Sequence, residues 1–511
     1  MTLEASPPRP GGPAEAPAGS SARAPASSPA ARTPPAGRQS PASSLRAVLA
    51  IASSLVSTQL VTALLGVVFW AAAARHYSAE AVGIASAATS AMAVLGVLGM
   101  LGLGTLMISE LPQLRGHRQL RLLRAALTVS AVVSGVLGVA WGIVAGWTSE
   151  AMRPIGDNPV TVLIFAAGVA FTALTAVFDQ AVLVRDRGGL QFLRNLVTAV
   201  TKVVCVLVLA AVGAQAGFSL YAAWVLGLAL SLPICLIGVS PRSASSGRGV
   251  PAAHAPGGVR EPADDRFWGF RKLREHTRSA AGHHLVNLAL QAPTLLLPVL
   301  AAFTVSAAET AYFSSARLAA TFIFMPPFAL AIALFAGARG DIDRAAARMR
   351  VTLPLGIAIS LALYGCSVVG AHPVLSLFGH EYAARALDPF LLMALAGIPL
   401  VVKDHYVALC RIQNHIQRAA VFVAVGTVAE LGVAGVAGWR YGLNGLALGW
   451  SCVVMVEAIV VAPQVIGVAW RPAPGVGMLR SPLQPARAAG RALPSPSAPT
   501  DPPGPTGIPE T

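Results

Sequence analysis

The sequence predicts an all-α integral membrane protein, with about twelve transmembrane helices in two like-oriented six-helix lobes around a central cavity. Three observations predict this class. Apolar stretches of about 18 to 28 residues alternate with short connections, and each can cross roughly 30 Å of hydrocarbon as a helix, one of the two backbone forms that lipid permits. The charges are sorted: of 37 Lys and Arg, 21 fall in alternate connections, 9 in the two tails, 4 in the remaining connections and 3 within helices. The second half of the chain also echoes the first at an offset of about 230 residues.

Residues 1–44 are rich in Ala, Pro, Ser and Gly and cannot bury a core, so a disordered tail is expected. The tail has no early apolar segment of the secretory kind, so the first spanning helix should be its own uncleaved insertion signal. The N-terminal lobe, 45–239, holds apolar runs at Val48 to Ala74, Val82 to Ile108, Leu122 to Trp147, Val160 to Val184, Leu196 to Val212 and Leu220 to Val239. Arg75 and Arg153 stand alone after the first and third runs, whereas Arg115, Arg118, Arg121 and Arg124 cluster after the second.

Residues 240–279 form a linker. It opens as Pro/Ser/Gly/Ala and closes as "RFWGFRKLREHTRS", where Phe267, Trp268, Phe270 and Leu273 interleave with Arg266, Arg271, Lys272 and Arg274. This is the composition of a basic amphipathic segment on an anionic leaflet, or of an ordinary cytoplasmic loop with some helix. The C-terminal lobe, 280–470, holds runs at Leu285 to Val305, Ala311 to Ala338, Val351 to Ala371, Phe390 to Leu409, Ala419 to Ala437 and Leu443 to Val468, and residues 471–511 form a second disordered tail. With Arg339, Arg344, Arg348 and Arg350 on one side and Arg385 and Arg440 on the other, the positive-inside rule puts both termini in the cytoplasm. An odd number of helices would scramble that sorting.

Composition narrows the function. A hydrophobic share of 55%, a charged share of 12% and a mean hydropathy of +0.65 exclude a soluble globular chain. The net charge of +15 is spread over many short loops, so it reads as membrane orientation and not as a nucleic-acid face. Cys205, Cys235, Cys366, Cys410 and Cys452 lie singly in apolar runs, which implies no disulfide, metal or cofactor. The 34 Arg against 3 Lys, with abundant Ala, point to a GC-rich bacterial genome and hence a bacterial plasma membrane.

The repeat is visible in "LVSTQLVTALLGVVFWAAAARHYSAEAVGIASAATSA" from Leu55 and "LVNLALQAPTLLLPVLAAFTVSAAETAYFSSARLAAT" from Leu285. Ser78, Ala79 and Glu80 match Ser306, Ala308 and Glu309 at the turn between two helices. Like-oriented halves imply an axis along the membrane normal and a binding cavity between lobes.

Three stretches carry a resemblance: "ARHYSAEAVGIASAATSAMAVLGVLGMLGLGTLMISELPQ" (Ala74 to Gln113), "LSLFGHEYAARALDPFLLMALAGIP" (Leu375 to Pro399) and "GLNGLALGW" (Gly442 to Trp450). Together they resemble the polysaccharide and O-antigen flippases, the Wzx-type branch of the multidrug/oligosaccharidyl-lipid/polysaccharide exporter superfamily. The resemblance implies a polyprenyl-pyrophosphate-linked oligosaccharide as substrate, moved from the inner to the outer leaflet by alternating access. It also implies membrane lipids and polysaccharide-assembly proteins as partners. A multidrug and toxin extrusion antiporter shares the architecture; a membrane glycosyltransferase or polymerase, or a non-transporting scaffold, are further alternatives.

Such a substrate needs cations for its phosphates. Arg317, about two turns into the eighth helix, is the first candidate, either facing the cavity or pairing with Glu430 or Glu457. Lys202 and Asp179 read as a structural pair or as snorkelling groups, and Lys403 and Asp404 as interfacial. Glu430, Glu457 and Asp179 are the candidates for coupling to H⁺ or Na⁺. Ser57 and Gln59 in the first helix, and His283, His284, Asn287 and Gln291 in the seventh, give matching polar faces that could line the cavity. Pro293 and Pro298 should bend the seventh helix and serve as a hinge, with Pro326 and Pro327 a second bend.

Overall fold

The computed structural model describes residues 64–114, 116–149, 152–185, 188–214, 216–238, 268–338 and 341–471; the side chains of 148, 188, 268, 275–287, 289–291, 294, 336 and 337 lie outside that description. The described chain is helical: α1 (Leu64–His76), α2 (Ala79–Gly99), α3 (Leu103–Glu110), α4 (Gly116–Thr148), α5 (Arg153–Gly156), α6 (Pro159–Val184), α7 (Gly188–Ala211) and α8 (Gly217–Gly238), then α9 (Trp268–Thr304), α10 (Ala307–Ala338), α11 (Ile342–Leu375), α12 (His380–Arg385), α13 (Leu387–Leu395), α14 (Gly397–Ile412) and α15 (Ile416–Ala469). Nine of these segments are long and apolar enough to cross a membrane, counting α13 with α14 as one. α1 and the apolar end of α9 are two shorter ones, and α15 is two helices joined at Gly442, where φ is 64° and ψ −150°. Counted in this way, the described residues give twelve crossings.

Four helix starts are written locally. The Ser78 side chain accepts a hydrogen bond from the Ala81 amide to open α2, and Asn158 with Thr161 forms a capping box on α6. Asp341 caps α11 by accepting from the amides of Asp343 and Arg344. The second lobe repeats the first device: the Ser306 hydroxyl accepts from the Glu309 amide, and the Glu309 carboxylate accepts from the Ser306 amide.

The second crossing is broken. α2 ends at Gly99 and α3 restarts at Leu103, because Leu101 (φ 50°) and Gly102 (φ 75°) are both left-handed. In the sequence this lies inside an uninterrupted apolar run.

Two helices begin earlier than hydropathy indicates. α7 starts at Gly188, before the apolar run at Leu196, because Arg194 finds a buried partner and does not need water. α9 starts at Trp268, so the basic segment at its front is continuous with the seventh crossing; Leu273 there packs with Leu103, Leu106 and Leu122 of the first lobe. The helix also runs unbroken through Pro293 and Pro298.

The faces of the molecule differ in how the lobes meet. Toward the arginine-poor ends, one apolar cluster runs through both lobes, from Phe69, Tyr77 and Val82 to Phe313, Phe378 and Leu446. Toward the arginine-rich ends it divides into one cluster around Leu106, Leu122 and Val177 and another around Leu334, Met349 and Val461. Valines such as Val132 and Val136 of α4, Val369 of α11 and Val428 of α15 are exposed, as suits a lipid-facing surface.

Candidate functional site

The two lobes meet where α2 crosses α10. Ser86 donates to the Ser314 hydroxyl at 2.5 Å across a sequence separation of 228, the offset of the repeat itself, so these serines sit near the pseudo-twofold axis. Nearer the arginine-poor face, Gly83 lies so close to α10 that an added β-carbon would collide with the Ala307 carbonyl. The Arg75 Nε donates to the Leu377 carbonyl at 2.9 Å and ties the α1–α2 turn to the second lobe.

Below this seal is a cavity of about 200 Å³, walled by Trp70, Val82, Ser86, Thr89, Ser90 and Trp224 of the first lobe and by Leu295, Pro298, Ser314, Arg317, Thr321 and Tyr382 of the second. It is an apolar shell with hydroxyls and one guanidinium. No carboxylate lines it among the described residues.

The hydroxyls are mostly satisfied by backbone: Thr89 donates to the Ser86 carbonyl, Ser315 to Ala311 and Thr321 to Arg317. Arg317 and Tyr382 are not. Among the described residues the Arg317 guanidinium has no hydrogen-bond or ion-pair partner, and the buried Tyr382 hydroxyl has none either. The buried Tyr382 hydroxyl without an acceptor costs about 1–3 kcal/mol, and the half-buried Arg317 guanidinium opens on the cavity beside it, so this wall suits a ligand rich in acceptor oxygens.

Arg317 thus faces the cavity and pairs with neither Glu430 nor Glu457. Those carboxylates converge instead on Lys403, whose Nζ donates to Glu430 Oε1 and Glu457 Oε2, both at 2.5 Å. The Trp450 Nε1 donates to Glu430 Oε2 at 2.7 Å, while Glu457 Oε1 is buried without a partner. Lys403 is therefore a buried residue, corrected from the interfacial position expected for it, and is 7% exposed. One lysine between two glutamates leaves one formal negative charge in excess. Nearby on α14, His405 is fully buried, its ring held between the Val401 carbonyl and the Thr352 hydroxyl.

Asp179 and Lys202 are not a pair. Asp179 receives both arms of Arg194, at 2.9 Å from Nε and 2.6 Å from Nη2, a closed structural contact within the first lobe. Lys202 instead lies over aromatic faces, its Nζ 3.7 Å from the Trp224 ring centroid and 5.3 Å from that of Phe69.

Of the other expected cavity residues, Ser57 and Gln59 lie outside the described residues. His283, His284, Asn287 and Gln291 are on the α9 backbone, but their side chains lie outside the description. Pro298 reaches the cavity wall; Pro293, one turn earlier, does not line it. Sequence reasoning missed Trp224, Tyr382 and the Lys403 network. Only the aromatic pair Trp70 and Trp224, rare mid-membrane side chains, offered a signal.

No family model and no curated protein matches the chain. Solved structures do. The fold is similar to the inward-facing conformation of a multidrug resistance MATE family transporter of the MOP superfamily, with a TM-score of 0.58 at 14% identity, covering 83% of this chain and 98% of that one. An outward-facing conformation of a transporter so described gives 0.51 at 14% identity, covering 83% and 96%. A MOP superfamily transporter from Pyrococcus furiosus, whose reverse polarity of binding pocket is said to suggest a different function, gives 0.50 at 14% identity over 83% and 96%. The chain has the all-helical, two-lobed membrane fold of the MATE transporters.

Proposed function

We propose that the chain is a transporter that carries a polyprenyl-pyrophosphate-linked oligosaccharide from the inner to the outer leaflet by alternating access, in service of cell-surface polysaccharide assembly. The observation that carries this reading is the inter-lobe cavity with an unpaired Arg317 and no carboxylate in its described wall. A cavity of this charge attracts phosphate and repels organic cations. Its 200 Å³ would take a phosphate group or two and not a sugar chain, so the lobes must part to admit the rest. The polyprenyl tail needs no such space, because it stays in lipid.

The placement follows from charge. The arginine-rich face is cytoplasmic, both termini with it, in a bacterial plasma membrane. The excess negative charge among Lys403, Glu430 and Glu457 is the site for coupling to H⁺ or Na⁺, with the unpartnered Glu457 Oε1 as the place where either would sit. Asp179, closed by Arg194, takes no part.

A cation-coupled multidrug antiporter is the second reading, favoured by the likeness of fold. Translocation in proteoliposomes separates the two. With a fluorescent lipid-linked oligosaccharide, the wild-type chain should expose label to an impermeant quencher and Arg317→Met should lose at least tenfold in rate. Unchanged translocation by a correctly inserted Arg317→Met would overturn the phosphate role.

A further inference from the structure

Lys202 raises a question that the reading above does not answer. It is only 8% exposed, deep in a spanning helix, and among the described residues no carboxylate and no hydrogen-bond acceptor meets its ammonium. Such a group is expensive in a membrane, and a charge kept there unpaired calls for a ligand. Lys403, by contrast, has its charge met within the protein by two carboxylates.

Its depth is informative. α7 ends toward the arginine-poor face at Ala211, and Lys202 lies about 14 Å before that end at 1.5 Å per residue. α10 begins at that same face with Ala307, and Arg317 lies about 15 Å beyond it. The two unpaired cations thus lie at similar lengths along their helices from that face, one in each lobe. Trp224 links them: its indole is part of the cavity wall, and the Lys202 ammonium rests 3.7 Å from its ring centroid. Phe69 and Trp70 pack on the same indole, at 5.0 and 5.8 Å between ring centroids, so the lysine is held by π-faces alone.

We propose that Lys202 is the first lobe's cation for the central cavity, kept under the Trp224 indole, and that with Arg317 it forms a two-cation clamp selecting ligands that carry two phosphoryl groups over those that carry one. The inference rests on the anion-binding reading of the cavity and specifies its ligand class. A cation–π contact is worth little enough to be exchanged for a phosphate oxygen, whereas a carboxylate partner would hold the lysine back. A clamp of this kind also ties the two lobes through the ligand, because each phosphoryl group is held by a different lobe.

The test is calorimetric binding of inorganic pyrophosphate and inorganic phosphate to the full chain in nanodiscs. Lys202→Met keeps the length and the packing on Trp224 but removes the charge. Wild type should bind pyrophosphate at least tenfold tighter than phosphate. In Lys202→Met that preference should fall to below threefold with phosphate affinity nearly unchanged, and Lys202→Arg should keep it. Arg317→Met should weaken both probes. If Lys202→Met retains the wild-type preference while Arg317→Met weakens binding, the clamp is wrong and the anion cavity stands. If wild type binds neither probe, or Arg317→Met changes nothing, both fail. Should Lys202→Met not fold, loss of the preference in Lys202→Arg would overturn the clamp equally.

Discussion

Replacing Lys403 by Met should destabilise the second lobe more than any other single charge removal. Lys403, Glu430 and Glu457 are 7%, 1% and 6% exposed and come from α14 and from the two limbs of α15, so one ammonium ties three crossings. At an effective dielectric near 20, each 2.5 Å contact corresponds to about 7 kcal/mol of gross attraction, most of it spent against the desolvation of three ions. Removal of the lysine leaves two buried carboxylates facing one another, and breaking buried ion pairs typically costs about 3–5 kcal/mol. Thermal unfolding of the purified protein, followed by tryptophan fluorescence, should fall by about 5 °C or more. Adding Glu430→Gln and Glu457→Gln to Lys403→Met should recover most of the loss, because the uncompensated charge is then gone. A silent Lys403→Met, or a triple variant worse than the single, would refute the reasoning.

Three further outcomes follow from the geometry. With Ser86→Cys and Ser314→Cys in a background lacking the native cysteines, oxidation should cross-link α2 to α10 at the hydrogen-bonded pair, stop transport, and be reversed by a reductant. Failure to cross-link in native membranes would contradict the lobe contact. Gly442→Ala should cost about 1–3 kcal/mol in thermal stability, since φ 64° with ψ −150° is a conformation only glycine adopts without strain. Asp179→Asn should cost about 3 kcal/mol by leaving the buried Arg194 guanidinium without a carboxylate, and Asp179→Asn with Arg194→Met should be less harmful than Asp179→Asn alone.

The fold was largely legible because lipid leaves the backbone few choices. Apolar length marked the crossings and arginine placement ordered them, and the repeated Ser-Ala-Glu turns proved to be matching helix caps at Ser78 and Ser306. The break at Leu101 and Gly102 was hidden, since "LGMLGLG" is apolar throughout and dihedral angles leave no trace in hydropathy. α7 was begun too late for the opposite reason: Gln191, Arg194 and Asn195 look like loop until Asp179 is seen to receive the arginine.

The site was legible in part. The depth of Arg317 in its helix singled it out, but the sequence left a choice between the cavity and a pairing with Glu430 or Glu457, and the packing puts it in the cavity wall. The Lys403 network was not legible, as its partners lie 27 and 54 residues away and helical periodicity says nothing about which faces meet. Trp224 escaped notice because a membrane tryptophan reads as an ordinary apolar side chain until its neighbours are known.

The most direct measurement reconstitutes the wild-type chain in proteoliposomes and follows two cargoes side by side: a fluorescent polyprenyl-pyrophosphate-linked oligosaccharide and an organic cation such as ethidium. A cavity with Arg317 and no carboxylate in its described wall is expected to move the anionic lipid and leave the cation where it was added. Transport of ethidium with no movement of the lipid would contradict the central claim.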